Sequence, residues 1–226
     1  MTPFDHEIRN VVCSVPDGRS RRTLLSVPHL DLPGGAFAAV SGVSGAGKTT
    51  FLKLISGILP PDSGTVRWGK TELGCLSASE RDAWRGTCVG FLFQDFRLFD
   101  GLSALQNVLL PLTFRGRPDR NDRSRAARLL KCHGVAPDTP AERLSRGEMQ
   151  RTALVRVLMQ SPSVILADEP TASLDAGRGA QAADALAEAA EALGATLIVV
   201  SHDERLLSRF NRRLVISDGL LKETAS

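Results

Sequence analysis

Short apolar runs recur along the chain at residues 36–40, 89–93, 164–167 and 196–200, each closed by a polar or turn-forming residue. Val164-Ile165-Leu166-Ala167 and Thr196-Leu197-Ile198-Val199-Val200 show no polar–apolar alternation. That continuity predicts strands covered on both faces, as in a parallel sheet. Residues 213–217 read as a further strand before the turn Asp218-Gly219. Residues 50–55 and the alanine-rich 176–193 read as helices, the second stopped by Gly194. Residues 101–160 read as mostly helical, and 120–133 set Ala126, Ala127, Leu129 and Leu130 among arginines before Gly134 ends the pattern. Residues 8–40 differ. There, short apolar runs alternate with the turns Pro16-Asp17-Gly18 and Pro33-Gly34-Gly35, which predicts a small antiparallel sheet. Thr65-Val66-Arg67-Trp68 adds a short strand after the turn at 60–64. Strands alternating with helices imply an α/β fold with a mostly parallel sheet and right-handed crossovers.

The 226 residues suit one large domain or two intimate subdomains. A formal net charge of +3 is too small to argue for nucleic acid as a partner. Arg115, Arg117, Arg120, Arg123, Arg125 and Arg128 are read as a solvated helix face. No apolar run approaches the roughly 20 residues that span a bilayer. The start, Met1-Thr2-Pro3-Phe4-Asp5-His6-Glu7, has no signal-peptide core. A cytoplasmic chain is expected, with membrane contact only through a partner. Cys13, Cys75, Cys88 and Cys132 lack metal-ligand spacing and are read as free thiols.

Three segments carry chemistry. Gly42-Val43-Ser44-Gly45-Ala46-Gly47-Lys48-Thr49 is a complete Walker A phosphate loop, set between the predicted strand at 36–40 and the helix that continues from Thr50. Its glycines let successive backbone N–H groups turn onto phosphate oxygens, and the helix N-terminus adds its positive dipole end. Lys48 supplies a point charge for the β- and γ-phosphates, and the Thr49 hydroxyl is placed for Mg²⁺. Asp168 and Glu169 follow the strand at 164–167, the strand end where open α/β sheets place ligands. Asp168 suits a carboxylate that holds Mg²⁺, and Glu169 a base for the attacking water. Finally, Ser145 and Glu148 in Leu144-Ser145-Arg146-Gly147-Glu148-Met149-Gln150-Arg151 form a capping box that starts a helix, which is expected to end before Ser161-Pro162. Its N-terminus would offer an anion site to a nucleotide on another subunit.

With these pieces in this order, the chain resembles the ATP-binding subunits of ABC transporters over essentially its whole length. Gln94 corresponds to the Q-loop glutamine, residues 144–150 to the signature, Ser173-Leu174-Asp175 to the D-loop and His202 to the switch histidine. The resemblance implies an ABC-type P-loop ATPase fold: a mostly parallel core sheet, a small antiparallel β subdomain and an α-helical subdomain. The single domain would span 1–226, with 1–93 and 161–226 forming the nucleotide-binding core and 94–160 the helical subdomain. It further implies ATP and Mg²⁺ as ligands. Nucleotide would be contacted by Gly42, Val43, Ser44, Gly45, Ala46, Gly47, Lys48, Thr49, Thr50 and Gln94, with Ser145 and Gly147 supplied by another chain and Asp175 linking two sites. Thr49, Gln94 and Asp168 would hold Mg²⁺, while Glu169, His202 and Lys48 would serve catalysis. The implied partners are a second ATPase, in a head-to-tail dimer, and a membrane permease docked through the Q-loop and a groove within residues 96–112. That would place the chain peripherally on the inner face of the cell membrane.

Residues 90–98, 102–112 and 166–175 resemble the lipoprotein-release and macrolide-export group. The favoured function is therefore to power export or extraction of an envelope substrate. A regulatory ABC complex of the cell-division type has a similar pattern. Soluble ABC ATPases acting on DNA or ribosomes usually carry a long coiled-coil insert or two cassettes, and neither is present in this sequence. Two departures stand out. Val15 falls where an aromatic normally stacks on adenine, and the chain has no tyrosine. Base–aromatic stacking is worth about 1–3 kcal/mol, so weaker ATP binding and a looser choice over GTP are expected unless Phe4 covers the base. The signature also has Arg146 for a glycine and Glu148 for a glutamine. Glu148 is expected to bring negative charge towards the triphosphate and Arg146 to offset it.

Overall fold

The computed structural model describes residues 5–18, 20–172 and 176–224. Two kinds of strand, distinguished by their burial, meet in one sheet. The first kind alternates. In β1 (His6–Asp17) and β2 (Ser20–Leu32), Ile8, Val11, Cys13, Leu25, Val27, Leu30 and Leu32 are buried while the intervening residues are wetter, as in an antiparallel pair with one solvated face. β4 (Ser63–Trp68) and β5 (Thr71–Glu72) extend this antiparallel arm. The second kind is continuous: β3 (Phe37–Ser41), β6 (Val89–Leu92), β7 (Val164–Asp168) and β8 (Thr196–Val200) pair in parallel, and β9 (Arg212–Ser217) joins β3 in parallel. Val164 and Leu166 of β7 enter one core while Ile165 and Ala167 enter the other, so this strand is covered on both faces.

The join is β10 (Leu220–Thr224). It pairs antiparallel with β9 through Asp218-Gly219, both at positive φ (50° and 74°), the turn geometry that tight hairpins favour. Leu220 also pairs with Ser26 of β2. The sheet of described strands thus runs continuously as β5-β4-β1-β2-β10-β9-β3-β8-β7-β6. The antiparallel part predicted from residues 8–40 is an extension of the parallel core.

Helix α1 (Lys48–Ile55) packs on one face of this sheet, burying Phe51, Leu52, Leu54 and Ile55 in the same core as Ile8, Leu25, Val40 and Leu166. The indole of Trp68 donates to Ile55 O at 2.9 Å and stacks on His6. On the opposite face, α6 (Ala176–Leu193) and α7 (Glu204–Leu207) cover Ile165, Ala167, Leu197 and Val199. Helices α3 (Ala104–Thr113) and α4 (Arg120–Cys132) pack with α5 (Arg146–Gln160) around Val108, Leu109, Ala126, Leu130, Val155 and Met159. α5 is shared between cores, since Ala153, Leu154 and Val157 belong to the sheet's second core. It begins at the predicted capping box and stops at Ser161, whose φ of 46° precedes Pro162. One helix has no counterpart in the apolar pattern: α2 (Ala78–Cys88), capped by Ser77 and Glu80, buries only Cys88.

Candidate functional site

The phosphate loop joins β3 to α1, and its glycines are sterically required at two points. Gly42 has φ 151°, and a Cβ there would lie 2.3 Å from Ile216 O. Gly47 has φ 114°, and its Cβ would approach Leu24 O to 2.9 Å. Gly47 is also the N-cap of α1 and provides no side-chain acceptor, so the first-turn N–H groups are left for another ligand. The Lys48 ammonium bends over the loop and donates to Gly42 O (2.6 Å) and Val43 O (3.0 Å).

A cavity of about 300 Å³ is lined by Ser44, Gly45, Gly47, Lys48, Thr49, Thr50, Gln94, Asp168 and Glu169. Residues distant in sequence are therefore brought to one cavity. Gly42, Val43 and Ala46 shape the loop without lining the cavity: Ala46 packs into the core and Val43 is exposed. Glu169, at φ 47°, is fixed by its own N–H donating to Val200 O at 2.8 Å. Its carboxylate accepts from the Ser201 hydroxyl (3.2 Å) and lies 2.8 Å from His202 Nδ1. The Glu169 side chain is only 12 % exposed and that of His202 70 %, so the pair bridges interior and solvent. Burial first, and then the Glu169 charge, push the Asp168 carboxyl above its ordinary value, while Lys48 pulls it down. A divalent cation suits such a pair of carboxylates, and Thr49, Gln94 and Asp168 offer the hard oxygens that Mg²⁺ prefers.

Ser145 and Gly147 do not reach this cavity. They line a separate one of about 390 Å³, between the start of α5 and Gln181, Ala182, Ala185 and Leu186 of α6. The Ser145 hydroxyl donates to Glu148 Oε2 (2.6 Å), which also accepts from Ser145 N–H (2.9 Å). Those two donors hold the Glu148 carboxyl below its usual range. The carboxylate therefore folds back on its own cap, as the Ser145–Glu148 capping box predicts, and its charge stays at the N-terminus of α5. Arg146 lies with its guanidinium carbon 5.7 Å from the centroid of the Phe96 ring. Gln150 Nε2 donates to Pro170 O at 3.1 Å, tying α5 to the residue after Glu169. Val15 sits half-buried near the end of β1, opposite Arg22. Phe4 and Ser173-Leu174-Asp175 lie outside the described residues.

A third feature is a cleft of about 810 Å³ lined by Phe91, Phe93, Phe99, Leu110, Pro111 and Phe114, with Arg85, Arg97, Arg115 and Arg156 among them. Phe99 is 56 % and Phe114 85 % exposed. The stretch from 96 to 112 is thus divided: Phe96, Val108 and Leu109 are core, whereas Phe99, Leu110 and Pro111 face the cleft. Residues of α2 form another wall, which the apolar pattern did not identify. Among the described residues no helix is long and apolar enough to cross a membrane.

Residues 25–172 match the family model described as ABC transporter. The chain is 38 % identical over 211 residues to the lipoprotein-releasing system ATP-binding protein LolD 1 of Rhodopirellula baltica, covering 92 % of each. It is 37 % identical over 215 residues to the macrolide export ATP-binding/permease protein MacB 1/2 of Paracoccus denitrificans, covering 94 % of this chain and 32 % of that longer one. Its fold matches the dimeric post-hydrolysis structure of the ATP-binding cassette MJ0796 bound to ADP and Pi with a TM-score of 0.88, at 32 % identity, covering 97 % of this chain and 98 % of that one. The chain belongs to the ABC transporter ATP-binding family and is an ABC-type ATPase.

Proposed function

We propose that this chain powers export or extraction of an envelope substrate through a partner membrane permease, and that it acts as a head-to-tail dimer at the cytoplasmic face of the inner membrane. The observation that carries this reading is the separation of two half-sites. Lys48, Gln94, Asp168 and Glu169 line one cavity, and Ser145 and Gly147 another. A triphosphate held by the first needs a second chain to present the other. The relatives named for lipoprotein release and macrolide export support the transport class, and the dimeric neighbour supports the assembly.

In this reading residues 42–50 hold the phosphates, with Lys48 balancing the β- and γ-phosphate charge. Mg²⁺, held by Thr49, Gln94 and Asp168, would supply positive charge at the transferred phosphate. Glu169 takes the proton of the attacking water, and His202 fixes the Glu169 carboxylate and faces the γ-phosphate. Ser145 and Gly147 of the second chain close over that phosphate, with Asp175 linking the two sites. Hydrolysis to ADP and phosphate removes the bridge between the chains, so the population returns to the open form. The domain divides into residues 1–93 with 161–226, which bind nucleotide, and 94–160, which form the helical part. The aromatic cleft receives the permease.

The test is a pull-down of tagged Glu169→Gln protein from detergent-solubilised membranes with MgATP, with partners identified by mass spectrometry. Recovery of a multi-span permease is expected. Recovery of ribosomal or DNA-bound proteins alone would overturn the transport reading and leave the ATPase assignment standing.

A further inference from the structure

Helix α5 carries a buried cation that the proposed chemistry does not use. Arg156 is only 7 % exposed, and its guanidinium donates twice, from Nη1 to Arg97 O (2.7 Å) and from Nη2 to Phe96 O (2.5 Å). Both acceptors belong to a strained turn. Phe96 and Arg97 have φ of 58° and 43°, a region that residues with a Cβ rarely occupy. A fork of two N–H groups matched to two successive carbonyls can hold such a turn in place. Gln94 stands two residues before Phe96.

The turn is also fastened from the other end of α5. The Phe96 ring is buried in the same core as Ala153, Leu154 and Val157, and Arg146 lies over it. On its outer side, Arg97 stacks on Phe93 at 4.5 Å, and both Arg97 and Arg156 line the aromatic cleft. One guanidinium thus touches the cleft, the turn behind Gln94 and the helix that begins with Ser145 and Gly147. Burial lowers the Arg156 pKa to about 10, so it remains a cation near neutral pH.

We propose that Arg156 is a positioning residue for the ATPase site: by holding the carbonyls of Phe96 and Arg97 it sets where Gln94 stands, and it links that position to α5 and to the cleft. This rests on the reading that Gln94 serves the nucleotide site. It predicts that Arg156 acts on turnover through Gln94 and not on phosphate-loop binding.

The test is a double-mutant cycle of Arg156→Met with Gln94→Ala, read as kcat and KM for MgATP, with thermal melts of every variant. Arg156→Met is expected to lower kcat by about 10- to 100-fold, the range for residues that orient a metal ligand, with KM within about threefold. On the Gln94→Ala background the same change should lower kcat by no more than about twofold, because the group it positions is gone. Arg156→Lys, which keeps the charge but not the fork, should fall between wild type and Arg156→Met. It also carries the test if the methionine variant fails to fold. Fully additive losses, or a wild-type kcat in Arg156→Met or Arg156→Lys, would overturn the proposal. A wild-type kcat in Gln94→Ala alone would overturn the reading of Gln94, and this inference with it.

Discussion

The two proposed half-sites are both helix N-termini, and they are built in opposite ways. At α1 the cap is Gly47, which has no side chain to occupy the first-turn N–H groups, and the loop glycines keep the backbone clear. At α5 the cap is Ser145, and the Ser145–Glu148 capping box satisfies the helix end internally while engaging the serine hydroxyl as a donor. The electrostatics diverge in the same sense. Burial and a neighbouring carboxylate push Asp168 up, whereas local hydrogen bonds hold Glu148 down. An anion meets open donors at the first site. At the second, a donor must first leave its own carboxylate. In the proposed reading, the same secondary-structure device therefore gives a binding site that is ready and one whose availability is conditional.

The strongest way to break this contrast is to disable the first half-site without touching the second. Glu169→Gln keeps the shape of the carboxyl group but removes the base. General-base catalysis typically contributes about 10²–10⁴-fold, so ATP hydrolysis should fall by that order while ATP still draws two chains together. Phosphate release and size-exclusion chromatography with MgATP check the two halves of the expectation. Hydrolysis and reopening at the wild-type rate would remove Glu169 from its role as base.

A smaller effect sharpens the electrostatic part of the comparison. A metal binds the deprotonated carboxylate, so protons compete with Mg²⁺ at Asp168. Because the Asp168 pKa lies above its ordinary value, this competition begins at a higher pH than for an exposed aspartate, and it strengthens as pH falls. Once the pH is below that pKa, the Mg²⁺ needed for half-maximal ATPase activity should rise about tenfold per pH unit. Glu148 stays ionised through the start of that window, so ATP-driven dimerisation at saturating Mg²⁺ should hold steady there. Mg²⁺ titrations of activity from about pH 8 to about pH 5 would show it. An Mg²⁺ requirement independent of pH would remove Asp168 from the metal site.

What could be read in advance follows the same division between local and distant causes. The phosphate loop and the α5 cap are defined within eight residues or fewer, so spacing alone located them, and the strand after which Asp168 stands was a plain apolar run. Helix α2 was missed because its capping box precedes a polar helix that buries only Cys88, leaving no apolar stripe to detect. The continuity of the sheet depends on Leu220 meeting Ser26, a pairing no local pattern encodes. The left-handed turn at Phe96 and Arg97 was equally hidden, since no glycine marks it and the buried Arg156 that holds its carbonyls lies on a distant helix. The back-folding of Glu148 was implicit in the capping box. Its consequence for the Ser145 hydroxyl appears only once the oxygen atoms are placed.

That consequence yields the finest test of the comparison. In Glu148→Gln the amide oxygen can still accept from the Ser145 N–H, so the helix cap survives. The Ser145 hydroxyl, however, no longer donates to a charged oxygen. Hydrogen bonds to an ionised acceptor are roughly twice as strong as neutral ones, and a neutral one nets about 1 kcal/mol. Releasing the hydroxyl should therefore become easier by about 1 kcal/mol at each Ser145, and ATP-driven dimerisation of the Glu169→Gln background should tighten by about fivefold for each of the two sites it closes. The melting temperature should barely move, because the side chain is at the surface and the cap persists. Sedimentation of Glu169→Gln with and without Glu148→Gln, across a range of protein concentrations, measures the shift. Weaker association in the double variant would show that the carboxylate helps to hold the second half-site in its binding shape, and the two helix ends would then differ less than their hydrogen bonds suggest.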